Sequence, residues 1–210
     1  MTGKLNLIYK KLYSRFGPQH WWPGKSAFEI MVGAILTQNT NWQNVEKAID
    51  NLKRQKLLQP QKLRALPQER LAALIRPAGY YNVKARRLKY FLNFLFDFYG
   101  GKIEKMRRQQ FRYLRRQLLA VNGIGAETAD SILLYALKKP IFVIDAYTRR
   151  MLFRHGLAQE GVDYDTLQNL FMRNLKNKVQ LFNEYHALLV KLGKDFCLKR
   201  QGRCDRCPLK

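Results

Sequence analysis

The sequence predicts an all-α protein. Apolar residues recur at helical spacing along most of the chain, and no convincing set of alternating strands interrupts them. The stretches between these periodic segments carry Gly, Pro and Asn, which punctuate helices.

Taken in order, His20-Trp21-Trp22-Pro23-Gly24 breaks structure, and Ser26 with Glu29 then forms an S-x-x-E capping box. Phe28, Met31, Val32, Ile35 and Leu36 follow on one helical face, and the helix stops in the polar run Thr37–Asn41. A second helix is expected from Trp42 to Leu57, with short helices flanking Pro60 and Pro67. Arg76–Asn82 reads as a turn. A long helix from about Val83 to Tyr99 carries Leu88, Phe91, Leu92, Leu95 and Phe96 on one side and ends at Gly100-Gly101. From Arg107 to Ala120 the apolar set is Phe111, Leu114, Leu118 and Leu119, with Arg108, Arg112, Arg115 and Arg116 mainly on another face. After Val121–Gly125 comes a helix with Ile132, Leu133, Ala136 and Leu137 inside, ended by Lys138-Lys139-Pro140. The apolar, β-branched Ile141–Ile144 leads into Asp145. Further helices are expected over Ala146–His155, Tyr164–Lys176 and Lys178–Leu192.

The chain has 210 residues, 39 Lys+Arg against 15 Asp+Glu and a formal charge of +24. With 47% hydrophobic residues it can bury a real core, which excludes global disorder. The length suits one domain or two small interleaved ones. No stretch approaches the roughly 18–20 apolar residues of a membrane span. The start, MTGKLNLIYKKL, carries no signal-peptide core. The expectation is a soluble cytoplasmic protein, nucleoid-associated in a bacterium, with a cationic surface for a polyanion, nucleic acid first of all.

Two local patterns add chemistry. Asn122-Gly123-Ile124-Gly125 between two helices forms a hairpin whose Gly123 and Gly125 amides, with the first turn of the next helix, suit one DNA phosphate. Such a contact positions the protein without reading sequence. Cys197, Cys204 and Cys207 all lie near the end of the chain, among Lys199, Arg200, Arg203 and Arg206. An odd, clustered set points to a metal or iron–sulfur site before a disulfide framework.

Together these features resemble the helix–hairpin–helix (HhH-GPD) DNA glycosylase superfamily that includes endonuclease III. The resemblance rests on Leu36–Thr40 (LTQNT), Ala78–Ala85 (AGYYNVKA), Val121–Asp130 (VNGIGAETAD), Phe142–Asp145 (FVID) and the cysteine tail. It implies two helical domains, one of residues 27–140 and one of 1–26 plus 141–210, and a monomer that binds double-stranded DNA with a flipped-out damaged base. It makes Asp145 the catalytic carboxylate, Gln38 the residue that fills the gap left by the flipped base, and Tyr80 a wedge beside the orphaned base. Asn122, Gly123, Gly125 and Lys84 are expected to contact DNA, with a monovalent cation at the hairpin. In members that also cut the strand, a lysine stands where this chain has Glu127. A carboxylate cannot form a Schiff base, so a monofunctional, water-using enzyme is expected.

Within the superfamily the chain looks most like the bacterial 3-methyladenine DNA glycosylases, through Trp21-Trp22-Pro23, Arg76–Asn82 and the hairpin with Glu127 and Asp130. That subgroup implies a base pocket of Trp21, Trp22, Trp42 and Glu127. Electron-rich rings attract a base made cationic by alkylation. The alternatives are a glycosylase/lyase acting on oxidised pyrimidines and a non-catalytic DNA-binding module. The family's C-terminal loop holds a 4Fe–4S cluster on four cysteines, C-x6-C-x2-C-x5-C. Cys197, Cys204 and Cys207 match the first three, and the ending at Lys210 reads as a loop cut within the motif.

Overall fold

The computed structural model describes residues 1–21 and 24–210, and all regular elements among them are helical. In chain order these are α1 (Thr2–Phe16), α2 (Ala27–Leu36), α3 (Trp42–Arg54), α4 (Pro60–Ala65), α5 (Gln68–Leu74), a 3-10 turn (Arg76–Ala78), α6 (Tyr81–Tyr99), α7 (Ile103–Arg107), α8 (Phe111–Leu119) and α9 (Ala126–Ser131). A wide π-helical turn (Ile132–Ala136) extends α9, and α10 (Ala146–Arg154), α11 (Tyr164–Asn174), α12 (Val179–Asp195) and a 3-10 turn (Cys204–Arg206) complete the chain. Two compact units form, Met1–Trp22 with Lys139–Lys210, and Pro23–Lys138. Trp22 lies outside the described residues.

The continuous unit is built around α2. Its sequence, AFEIMVGAIL, has one charge, and every residue from Phe28 to Leu36 is buried. Such a helix needs partners on all sides, and α3, α6, α9 and the π-helical turn provide them. Ser26 Oγ accepts from Glu29 N (3.1 Å), so the N-terminal half of the expected capping box forms. The Glu29 carboxylate points into the core instead and meets Lys53 Nζ at 2.6 Å. A buried carboxylate without a cation would be costly.

In the stretch 107–120 the helix starts only at Phe111, as α8, and the separate short α7 ends at Arg107. Gln110 caps α8 by accepting from Tyr113 N (3.0 Å). Arg115 leaves the expected basic face. It forms a fork on Asp130, which is fully buried, at 2.8 and 3.1 Å. Leu114 and Leu118 fill the core below.

The other unit joins the chain ends. α1 packs on α11 and α12, and α10 packs on α12. No helix is expected before residue 26 from the sequence, because α1 buries only Leu5 and Leu12, one narrow stripe among lysines and tyrosines. It is anchored from outside itself: Tyr185 Oη donates to Leu5 O (2.8 Å), and Tyr9 meets the Tyr185 ring edge-on. The Ile141–Ile144 segment has no regular structure but is buried, and carries Phe142 onto the Phe171 ring at 3.9 Å between centroids.

Candidate functional site

In the unit of Met1–Trp22 with Lys139–Lys210, Asp145 lies among buried polar and aromatic side chains. The buried Ile141–Ile144 entry delivers it to the start of α10, where its Oδ1 accepts from Thr148 N (2.7 Å) as an N-cap. Its Oδ2 lies 3.6 Å from Nε2 of His186, a buried residue on α12. Burial pushes the His186 pKa below its ordinary value, while the Asp145 charge pulls the other way. Tyr147 is raised, first by burial and then by Asp145. The Tyr147 ring is admitted by Gly193 of α12, where an added Cβ would stand 2.3 Å from Cδ1. Trp21 is half-buried and has Lys194 Nζ 5.8 Å from its ring centroid, so a cation already lies near this indole.

α10 also holds the cysteine loop. Arg150 Nε donates to Cys197 O (2.6 Å), and Arg154 Nη1 donates to Leu198 O (2.8 Å) and contacts Cys197 Sγ (3.4 Å). Cys197 is buried, Cys204 exposed and Cys207 half-buried, and all three are free thiols. Burial raises the Cys207 pKa, and Cys197 and Cys204 lie close enough to raise it further. Among the described residues no three His, Cys, Asp or Glu side chains are arranged to hold a metal ion. The loop thus supplies three soft donors, Cys197, Cys204 and Cys207, and no complete ligand set.

In the unit of Pro23–Lys138 the hairpin between α8 and α9 is the focus. Gly123 has φ 84, in the region that favours glycine, and an added Cβ there would meet Arg87 Cγ at 2.4 Å. At Gly125 an added Cβ meets nothing within 4 Å, so the approach to the start of α9 is open. Asn122, Gly125 and Glu127 are all exposed there. Gln38, just past α2, is held against this hairpin. Its Nε2 donates to Gly123 O (3.0 Å) and to Thr128 Oγ1 (2.9 Å), and its Oε1 accepts from Arg87 Nη1.

Tyr80 is 73% exposed and sits in the left-handed region at φ 46, ψ 33, directly after Gly79 at φ 67. A large aromatic there is uncommon, and such outliers gather where a side chain is displayed for use. Trp42 opens α3 half-buried, and its indole N–H donates to Glu46 Oε1 (2.7 Å).

Lys84 requires a correction. It was expected to offer its charge to DNA, but it is 1% exposed, and its Nζ donates to Leu36 O (2.8 Å) and Ala78 O (2.7 Å). Burial, with Arg87 nearby, lowers its pKa to about 8. What sequence reasoning missed was His186 and this inward lysine. His186 falls in a plain helical stretch with no motif around it, and Lys84 stands in a basic run.

Residues 32–177 match the family model of the HhH-GPD superfamily base excision DNA repair protein. The putative DNA repair glycosylase MJ1434 of Methanocaldococcus jannaschii is 48% identical over 204 residues, 97% of this chain and 92% of that protein. Endonuclease III of Thermotoga maritima is 26% identical over 203 residues, 97% of this chain and 89% of its own length. Among solved structures, the H. pylori 3-methyladenine DNA glycosylase bound to 1,N6-ethenoadenine is 31% identical with a TM-score of 0.79, covering 93% of this chain and 99% of that one. An endonuclease III–DNA complex shares the fold, with a TM-score of 0.85 at 21% identity, over 100% of this chain and 93% of that one. No described helix is long and apolar enough to cross a membrane. By family match and by identity along nearly its full length, the chain belongs to the endonuclease III-like HhH-GPD superfamily of base excision DNA repair glycosylases.

Proposed function

We propose that this protein is a monofunctional DNA glycosylase that removes alkylated, cationic purines from duplex DNA by attack of water. One observation carries the mechanism. The helix after the hairpin opens with a carboxylate, exposed Glu127, while a separate carboxylate, Asp145, is held in place at a helix N-cap. Breaking the N-glycosidic bond builds positive charge on the sugar, and Asp145 would stabilise it or take a proton from water.

No amine poised for nucleophilic attack emerges among the lysines with lowered pKa. Lys84 gives its Nζ to two carbonyls, and Lys89 gives its own to Leu63 O (3.1 Å), Arg64 O (2.7 Å) and Leu66 O. The substrate class is supported by the likeness to the 3-methyladenine enzyme and by the motif positions of Trp21 and Trp42. Exposed Asn122 and Gly125 suit the hairpin to a phosphate, while Glu127 is read with the base pocket, and Gln38 and Tyr80 as entering the duplex, by their motif positions. A monovalent cation at the hairpin belongs to the same reading. The division of labour follows domains of about 27–140 and 1–26 plus 141–210, in a monomer acting in the cytoplasm. Trp22 is assigned to the pocket by its motif alone.

Cys197, Cys204 and Cys207 are proposed as three thiolate ligands of a 4Fe–4S cluster that needs a fourth donor. Its part is to shape a basic loop, and iron analysis with an absorbance scan tests it.

The decisive experiment incubates the protein with duplexes bearing 3-methyladenine, 7-methylguanine or thymine glycol, with and without borohydride. Release of methylated purine without a trapped adduct is expected. Thymine glycol release with trapping would replace this reading by the glycosylase/lyase one. Tight binding without release from any lesion would leave a DNA-binding module.

A further inference from the structure

We propose that Lys84 is a positioning residue that couples the two side chains read as entering a duplex, because one buried ammonium ties the turn that carries Gln38 to the turn that carries Tyr80. The proposal rests on the reading of Gln38 and Tyr80 as residues that enter DNA.

The geometry is specific. Leu36 is the last residue of α2 and stands two positions before Gln38; Ala78 ends the 3-10 turn and stands two positions before Tyr80. Lys84 Nζ bonds both carbonyls, at 2.8 and 2.7 Å, from the first turn of α6. Helix ends leave carbonyls without intrahelical partners, and a buried one must find a donor. Here a single donor group serves two such ends, so a shift of one turn is felt at the other.

A second bond runs the same way. Arg87, three residues along α6 from Lys84, reaches Gln38 Oε1. Both cations on this face of α6 are therefore spent on the end of α2. The left-handed backbone of Tyr80 needs a surrounding structure that holds it, and the Lys84 bond to Ala78 is part of that hold. The lowered basicity of Lys84 agrees with a desolvated tie. An amine shed of its third proton still has two N–H groups for the two carbonyls.

The test is a double-mutant cycle on Gln38→Ala, Tyr80→Ala and Lys84→Met. The readouts are 2-aminopurine fluorescence beside an abasic-site analogue, which reports unstacking, and affinity for undamaged duplex. Lys84→Met is expected to lower the unstacking signal by roughly tenfold, on the scale of a lost interaction with a loop that must be ordered. Affinity for undamaged duplex stays within about twofold, since no phosphate contact is removed. Combined with Tyr80→Ala, the loss is less than the product of the two.

Wild-type unstacking in Lys84→Met, fully independent effects in the cycle, or weakened binding to undamaged duplex with a shallower salt dependence would each overturn the clamp. If Gln38→Ala and Tyr80→Ala themselves leave unstacking unchanged, the DNA-entering reading is overturned instead. Hydrogen exchange decides without any Lys84 variant. Tyr80→Gly, which frees the exposed turn, is expected to speed exchange at residues 37–40 as well as 78–80. Unchanged exchange at 37–40 overturns the coupling.

Discussion

Gln38 is folded back on the hairpin, with its amide nitrogen 3.0 Å from the Gly123 carbonyl oxygen. To enter a duplex it must give up that bond and the one to Thr128 Oγ1. Gln38→Ala is therefore expected to cost about 1 kcal/mol of stability and leave the fold intact, because the half-exposed Gly123 carbonyl can turn to water while the buried Thr128 Oγ1 loses a donor. Excision should still fall, by roughly tenfold in a single-turnover assay, because the vacated base position goes unfilled. An unaltered rate would show that the side chain stays stowed throughout the reaction.

Asp145→Asn separates chemistry from folding. Asn is as good an N-cap as Asp, so the bond to Thr148 N and the melting temperature should survive. Base release should drop by about 10²-fold or more, the usual scale for a lost acid–base group. Binding to an abasic-site duplex, followed by fluorescence anisotropy, should persist.

Burial lowers the pKa values of His186 and His155, so the unfolded chain takes up protons first as pH falls. Both therefore contribute stability that is full above about 6.5, the unfolded value, and is lost as pH drops below it. Denaturant titrations at pH 7.5 and 5.5 should show the fall. His186→Gln should flatten it and leave a remainder from His155.

Lys84 predicts the opposite edge. Its folded pKa of about 8 lies below the unfolded value, so stability rises with pH from about 8 to about 10. Burial raises the pKa values of Tyr9, Tyr99, Tyr147 and Tyr185, which work against stability above about 10. The difference between wild type and Lys84→Met isolates the lysine, and a flat difference over that window would contradict its burial.

Gly193→Ala places a methyl group into the Tyr147 ring, 2.3 Å from Cδ1. The α10–α12 packing behind Asp145 must then open, at a cost of about 1–3 kcal/mol. Differential scanning calorimetry should show a drop of roughly 2–4 °C for each kcal/mol lost.

The helices that carry complete local signals were legible in the sequence. α2 has its cap at Ser26 and a polar stop after Leu36, and α6 ends where Gly100 follows Tyr99. Asp145 was legible too, because an apolar run followed by Asp marks a buried entry to a helix. α1 was not, since its stability comes from α11 and α12, far away in the chain. The break at 108–110 was not legible because Arg107, Arg108 and Arg112 stand on both sides of it and no Gly or Pro marks it. Lys84 and Arg115 misled for a common reason. Periodicity shows which face a residue occupies, but whether a cation on that face meets solvent or a buried acceptor depends on the neighbouring element.

The inward cations change what the formal charge means to a polyanion. Lys84 is bonded to two carbonyls, Arg115 is matched by Asp130, and Lys53 by Glu29. None of these bonds involves DNA; Arg115 and Lys53 are already cancelled within the +24 by Asp130 and Glu29, whereas Lys84 is counted in it without a matching acid. Counterions are released only by cations that reach phosphates, at about 0.9 per phosphate in the logarithmic salt slope. A salt titration therefore measures the protein's outward charge, and neutralising Lys84 should leave that slope unchanged.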